Sequence, residues 1–162
     1  MKEKEIIKVG DDIAKEMVNY MGLSAEVNTS MAIDEQDKKY LKVNVEGEDL
    51  GMLIGYKGGT LNSFQLIFAQ LLNNGIGEPI PVVIDVNNYR QRRKEYLLSL
   101  AHRAVRDVRE SGQKMELPPL SPFERRIIHI ALKEEDGIST HSEGEGRDRH
   151  IVISLDDQTE EK

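Results

Sequence analysis

The feature that most restricts this chain is the run Leu53-Ile54-Gly55-Tyr56-Lys57-Gly58-Gly59-Thr60-Leu61, where glycines interrupt a helical apolar pattern. Residues 50–54 form a short apolar turn before it. After it, Leu61, Phe64, Phe68, Leu71 and Leu72 recur at helical spacing as far as Asn74, and Asn73-Asn74-Gly75 with Pro79 is expected to close that helix. One helix must therefore stop and another start within a few residues. A Gly-x-x-Gly break of this kind exposes backbone N–H groups and leaves no Cβ to obstruct a sugar-phosphate strand. It also places the positive end of the second helix at the same spot. Lys57 adds a mobile cation. Taken alone, the pattern also suits an ordinary turn, so its surroundings matter.

Those surroundings are ordered. Residues 5–21 predict an amphipathic helix with Ile6, Ile13, Met17, Val18 and Tyr20 as its apolar positions and Gly22 at its end. Two strands follow over 23–32 and 40–45, the second alternating Leu41, Val43 and Val45 with Lys42, Asn44 and Glu46. A short apolar strand is expected over 81–86. A Walker A loop is excluded, because no Gly-x-x-x-x-Gly-Lys-Ser/Thr occurs, and a dinucleotide fingerprint fails because the loop follows a helical turn and not a strand.

From Tyr89 a long helix is expected to about Ser111, with Leu97, Leu100, Ala101, Ala104 and Val108 inward and Gly112 beyond its end. Pro118-Pro119 forces an extended connector. Ser121-Pro122-Phe123-Glu124 then supplies a capping box with proline at the first helical position, opening a helix to Leu132 or Lys133. On that helix Arg125 and His129 stand four apart and share a face, so a guanidinium fork and an imidazole can meet one phosphate. A pair that merely lies at the edge of a small core has the same spacing. Strands over 137–142 and 149–155 close the pattern, joined by a loop over 143–148. The elements run α-β-β-α-α-β and then α-β-α-β-β, an α+β class, with a division near Asn87-Asn88: residues 1–87, residues 88–155, and an acidic tail over 156–162 expected to be disordered.

Charge distribution matters more than the total. The chain carries −7 overall, yet residues 88–130 hold ten basic and five acidic side chains, a local +5. With a Debye length of roughly 8 Å at physiological salt, a phosphate responds to the local patch. In the long helix Arg90, Arg92, Arg93, Lys94, Arg103, Arg106 and Arg109 are interleaved with Glu95, Asp107 and Glu110, so part of that charge is expected to be paired internally. There is no cysteine, which removes disulfides, thiolate metal sites and thiol nucleophiles together. No run approaches a membrane span and the first residues lack a signal-peptide core, so a cytoplasmic protein without membrane insertion is expected. His102, His141 and His150 show no metal-ligand spacing and are expected at the surface or as caps. No metal or other cofactor is called for. An enzyme acting on nucleic acid would need clustered carboxylates or a second acid/base group beside its histidine. Neither motif has them, and a binding protein is expected, with a protein–protein adaptor as the alternative.

The four ordered motifs resemble the Jag family of bacterial RNA-binding proteins (the KhpB or sporulation-associated family), in which a type II KH domain precedes an R-three-H (Arg-x-x-x-His) domain. They are residues 53–61, the run from Val83 to Arg93, Pro122-Phe123-Glu124-Arg125-Arg126-Ile127-Ile128-His129, and Ser142-Glu143-Gly144-Glu145-Gly146. The resemblance implies that Gly55, Tyr56, Lys57, Gly58 and Gly59 hold single-stranded RNA, with Arg92, Arg93, Arg125 and His129 as further contacts. It implies an RNA chaperone or post-transcriptional regulator linked to cell shape and the cell wall, partnered by a smaller KH-only protein or by a second copy. Tyr56 stands where family loops often carry a second basic residue. The additional N-terminal domain of longer relatives is expected to be absent.

Overall fold

Small and branched apolar residues at intervals of four make the inner stripe of the first helix, α1 (Glu3–Tyr20): Ile6, Gly10, Ala14 and Val18 are buried. The Glu5 carboxylate accepts from the Lys2 backbone N–H at 3.0 Å and closes its N-terminus. Tyr20, expected inward, is 83% exposed, because two residues beyond Val18 the helix has turned away from its stripe. These elements belong to the computed structural model of the chain, which describes residues 2–156. Beyond Asp156, the tail expected to be disordered lies outside the described residues. The chain divides into two compact units, Met1–Arg90 and Gln91–Lys162.

In the first unit β1 (Glu26–Ile33) pairs antiparallel with β2 (Lys39–Glu46), from Glu26 opposite Glu46 to Ile33 opposite Lys39. Their connection is an Asx-type turn: Asp34 Oδ1 accepts from the backbone N–H of Gln36 and Lys38. Those two bonds, Lys38 first, hold the Asp34 carboxyl below its ordinary range. β2 also pairs in parallel with β3 (Val82–Val86), giving a mixed sheet of order β1-β2-β3. The central strand turns Leu41, Val43 and Val45 fully inward, and Ile84 and Val86 join them. α1 and the helix α3 (Gly59–Ile76) pack against this sheet and each other, with Leu61, Phe64, Phe68 and Leu72 entering the same core. Each such side chain contributes about 1.5–3 kcal/mol by leaving water. α3 continues through the expected Asn73-Asn74-Gly75 stop and ends at Ile76, where Gly77 takes the left-handed conformation. Leu71, expected inward, is 47% exposed because Leu72 occupies the core register.

In the second unit the long helix α4 (Tyr89–Ser111) buries Leu97, Ala101, Ala104, Val105 and Val108. Leu100 is only half-buried, while Val105, one turn after Ala101, lies inward. A two-residue strand β4 (Met115–Glu116), then β5 (Ile138–Glu143) and β6 (His150–Leu155), form an antiparallel sheet of order β4-β6-β5. Between them α5 (Pro122–Leu132) buries Ile128 and Leu132. Its capping box is complete. Glu124 N–H donates to Ser121 Oγ at 3.3 Å and Ser121 N–H to Glu124 Oε2 at 3.0 Å. Ser121→Ala is expected to cost about 1 kcal/mol of stability. An unchanged thermal midpoint would show that the cap contributes nothing. Among the described residues no helix is long and apolar enough to cross a membrane.

Candidate nucleic-acid interface

The glycine loop is held from both sides by apolar anchors. The single-turn helix α2 (Gly51–Ile54) buries Leu53 completely, and Leu61 in the first turn of α3 is 1% exposed. Between them the backbone takes conformations that select for glycine. Gly55 has φ 70° and ψ −173°, and a Cβ there would lie 2.0 Å from Thr60 Oγ1. Gly58 has φ 77° and lies on the Tyr89 ring, so a Cβ would meet Tyr89 Cε1 at 2.8 Å. Tyr56–Gly58 makes one 3-10 turn in which Lys57 itself is left-handed, at φ 50°. α3 starts at once at Gly59, its positive end at the loop. Tyr56 is 83% exposed, and Lys57 Nζ lies 5.2 Å from the centre of its ring. A fixed backbone turn thus presents an aromatic face, a cation and a helix N-terminus within five residues.

After β3, Asn87 and Asn88 both take positive φ, and Asn87 is clamped to Gly47 by two hydrogen bonds. Arg90 belongs to this scaffold. Its Nε donates to Ile84 O at 2.7 Å and its Nη2 to Gln65 Oε1 at 2.9 Å. Burial pushes its pKa down, opposed by Asp85 and Tyr89. Of the basic residues expected in the long helix, Arg90 therefore serves the sheet edge.

The second unit sorts the other predicted residues. Arg92 is exposed on α4. Arg93 is mostly buried: its Nε donates to Glu124 Oε1 at 2.8 Å and its guanidinium lies 5.2 Å from the Tyr96 ring centre. Glu124 is 7% exposed, so the capping residue of α5 also carries the counter-charge of Arg93. Arg125 Nη1 donates to Leu120 O at 2.7 Å, and His129 Nδ1 bonds Thr140 Oγ1 on β5 at 2.8 Å. Arg125 is half-buried on the flank of α5 and His129 beside it is exposed, each fixed at one atom. For His129, Nε2 is the nitrogen left for a ligand. Arg109 is engaged by Glu135 and the Asp136 carbonyl.

The remaining histidines are exposed or sit at the end of a turn. His141 Nε2 bonds Glu143 Oε1 at 2.8 Å, and that bond first of all holds the Glu143 carboxyl below its ordinary range. His150 is half-buried and caps the 3-10 turn Gly146–Asp148. Its Nδ1 donates to Asp148 O at 2.9 Å, and its Nε2 is buried and faces Glu116 Oε2 at 3.7 Å, too far for a hydrogen bond. Glu116, Glu143 and His150 bring one ligand-type atom each within 4.8 Å of one another. Strand pairing brings this group together from distant positions, and no local spacing signals it.

Two family models match the chain, one over each unit. The model described as KhpA/KhpB, KH domain, matches residues 11–84, and that of the R-three-H domain matches residues 95–155. A protein of Clostridium symbiosum named RNA-binding protein KhpB is 39% identical over 133 residues, 82% of this chain and 60% of the relative. One of Bacillus subtilis with the same name is 37% identical over 122 residues, 74% of this chain and 59% of the relative. A third, of Lactiplantibacillus plantarum, is 30% identical over 139 residues, 86% of this chain and 42% of the relative. The chain thus spans about 60% of the length of the first two relatives.

Proposed function

The chain belongs to the KhpB (Jag) family, with a KH domain followed by an R-three-H domain, and from that premise we propose that it is a non-enzymatic protein that binds single-stranded RNA. We assign the KH domain to residues 1–87 and the R-three-H domain to residues 88–155. The observation that carries the reading is the loop from Gly55 to Gly59. Its two left-handed glycines open the backbone to a sugar-phosphate strand while Tyr56, Lys57 and the start of α3 offer stacking and positive charge. Arg125 and His129 supply a second phosphate contact on α5, with Arg92 in the same unit. The relatives' names, RNA-binding proteins, support the same reading. A cytoplasmic RNA chaperone or post-transcriptional role linked to cell shape and the cell wall, with a KH-only partner, completes the proposal on family resemblance.

The test is an RNA-binding isotherm at several salt concentrations. Phosphate contacts release counterions, so log affinity falls with log salt by about 0.7 for each single-strand contact. In a protein whose glycine loop has been disabled, Arg125→Ala with His129→Ala is expected to weaken binding further. The slope should also become shallower, by about that amount for each phosphate no longer neutralised. A slope equal to that of the loop variant alone would remove the second contact. A parent protein whose binding does not respond to salt would remove the reading itself. One observation favours an adaptor role beside it: Met52, Leu66, Ile67 and Leu71 stand 47–71% exposed on α2 and α3. Association that persists without RNA and disappears with Leu66→Lys would establish that role.

A further inference from the structure

The surface of α5 continues past the flank that carries Arg125 and His129. Phe123, in the first turn of the helix, is 70% exposed, and Ile130, two turns on, is 57% exposed. At 100° per residue Arg126 falls between His129 on one side and Phe123 with Ile130 on the other. Arg126 is exposed and makes no hydrogen bond or ion pair among the described residues. Phe123 has no hydroxyl to bond water, and the chain's other two phenylalanines, Phe64 and Phe68, are core residues. A second ring is tethered to the same helix end. Tyr96, 49% exposed, lies against Arg93, which in turn is bonded to Glu124, the neighbour of Phe123.

The arrangement joins two kinds of group that a single strand needs: cations that follow the phosphates and flat apolar faces that take the bases. We propose that the second unit holds a base-stacking site for an unpaired nucleobase, with Phe123 as its platform, Tyr96 as a second ring and Arg126 as the adjoining phosphate contact. This rests on the RNA-binding reading above and deepens it. Arg125, His129 and Arg126 would position the backbone, while Phe123 would contribute affinity that carries no charge. Stacking is indifferent to base identity in its geometry, so the site would add strength and favour unpaired RNA without reading a sequence. The ion pair of Arg93 with Glu124 is on this view a positioning contact that keeps Tyr96 beside the start of α5.

The chain contains no tryptophan, so Phe123→Trp installs a lone reporter at an exposed position. Single-stranded RNA of mixed sequence is expected to quench its emission along the same isotherm that anisotropy of labelled RNA reports. An oligonucleotide of equal length with abasic positions should bind more weakly and leave the emission unchanged. Phe123→Ala, folded by circular dichroism, should lose about tenfold in affinity with no change in the salt slope, because the ring neutralises no phosphate. Arg126→Gln should make the slope shallower instead. RNA binding that proceeds with unaltered emission and an unaffected Phe123→Ala variant overturns the stacking site and leaves the RNA-binding reading standing. A parent protein that binds no RNA removes both. Emission that shifts with protein concentration in the absence of RNA would assign the ring to a protein contact and overturn the proposal.

Discussion

Glu124→Ala is expected to destabilise the second unit by about 3 kcal/mol, the lower end of the range for removing one partner of a buried ion pair. One carboxylate here meets two demands. Oε1 accepts from Arg93 Nε at 2.8 Å, and Oε2 accepts from the Ser121 backbone N–H at 3.0 Å. Alanine would strand the guanidinium of Arg93, whose side chain is 19% exposed, and would reopen the N-terminus of α5. The lower end of the range applies because Arg93 keeps its contact with Tyr96 and some access to water. Glu124→Gln keeps one accepting oxygen for the Ser121 N–H but turns its amide NH2 toward the Arg93 donor, so it should recover only the capping share of the loss. Hydrogen exchange of buried α5 amides measures this directly. A loss of about 3 kcal/mol accelerates exchange through global opening on the order of a hundredfold, while amides of the first unit serve as an internal reference. Equal protection in the two proteins would mean that the pair is solvated and worth no more than a surface contact.

This pair also marks where local sequence reasoning stops. The capping box is readable because its members lie within four residues and its chemistry is that of any helix start. The Gly55–Gly58 break is readable for the same reason: two glycines inside an apolar helical pattern have few other uses. Arg93 and Glu124 lie 31 residues apart, and Arg93 reads equally well as a phosphate contact until α4 and α5 are brought together. A signal did exist. Glu124 stands one turn before Ile128 on the inward side of α5, so its carboxylate had to be buried and had to find a cation. Arg90 was hidden in the same way, its partners Gln65 and Ile84 lying on a helix and a strand that no local spacing connects. The end of α3 shows the opposite error. Asn73-Asn74-Gly75 is a good local stop, but Ile76 packs against the core of the first unit and carries the helix two residues past Asn74, with Gly77 as its cap. Tertiary burial outweighed propensity there.

Replacing Tyr56 and Lys57 together by aspartate is expected to lower affinity for single-stranded RNA by at least tenfold, roughly 1.4 kcal/mol, with the fold intact. The fold should survive because other side chains anchor the loop. Leu53 and Leu61 do that from within the core, and Tyr56 is 83% exposed. Position 57 needs a left-handed backbone, φ 50°, which aspartate tolerates better than most residues. The left-handed glycines and the start of α3 are untouched, so the backbone N–H groups keep their places. What changes is the field: a cation beside an aromatic face becomes two anions at the point where a phosphate must approach. Single substitutions separate the contributions. Lys57→Gln should reduce the salt slope by about 0.7, the signature of one phosphate contact. Tyr56→Ala should leave the slope alone and lose about tenfold in affinity if the ring stacks on a base. A folded double variant that binds RNA as tightly as the parent would show that the strand does not lie on this loop, and the glycines would then have to be explained by the packing of Gly58 on Tyr89 and of Gly55 on Thr60 alone.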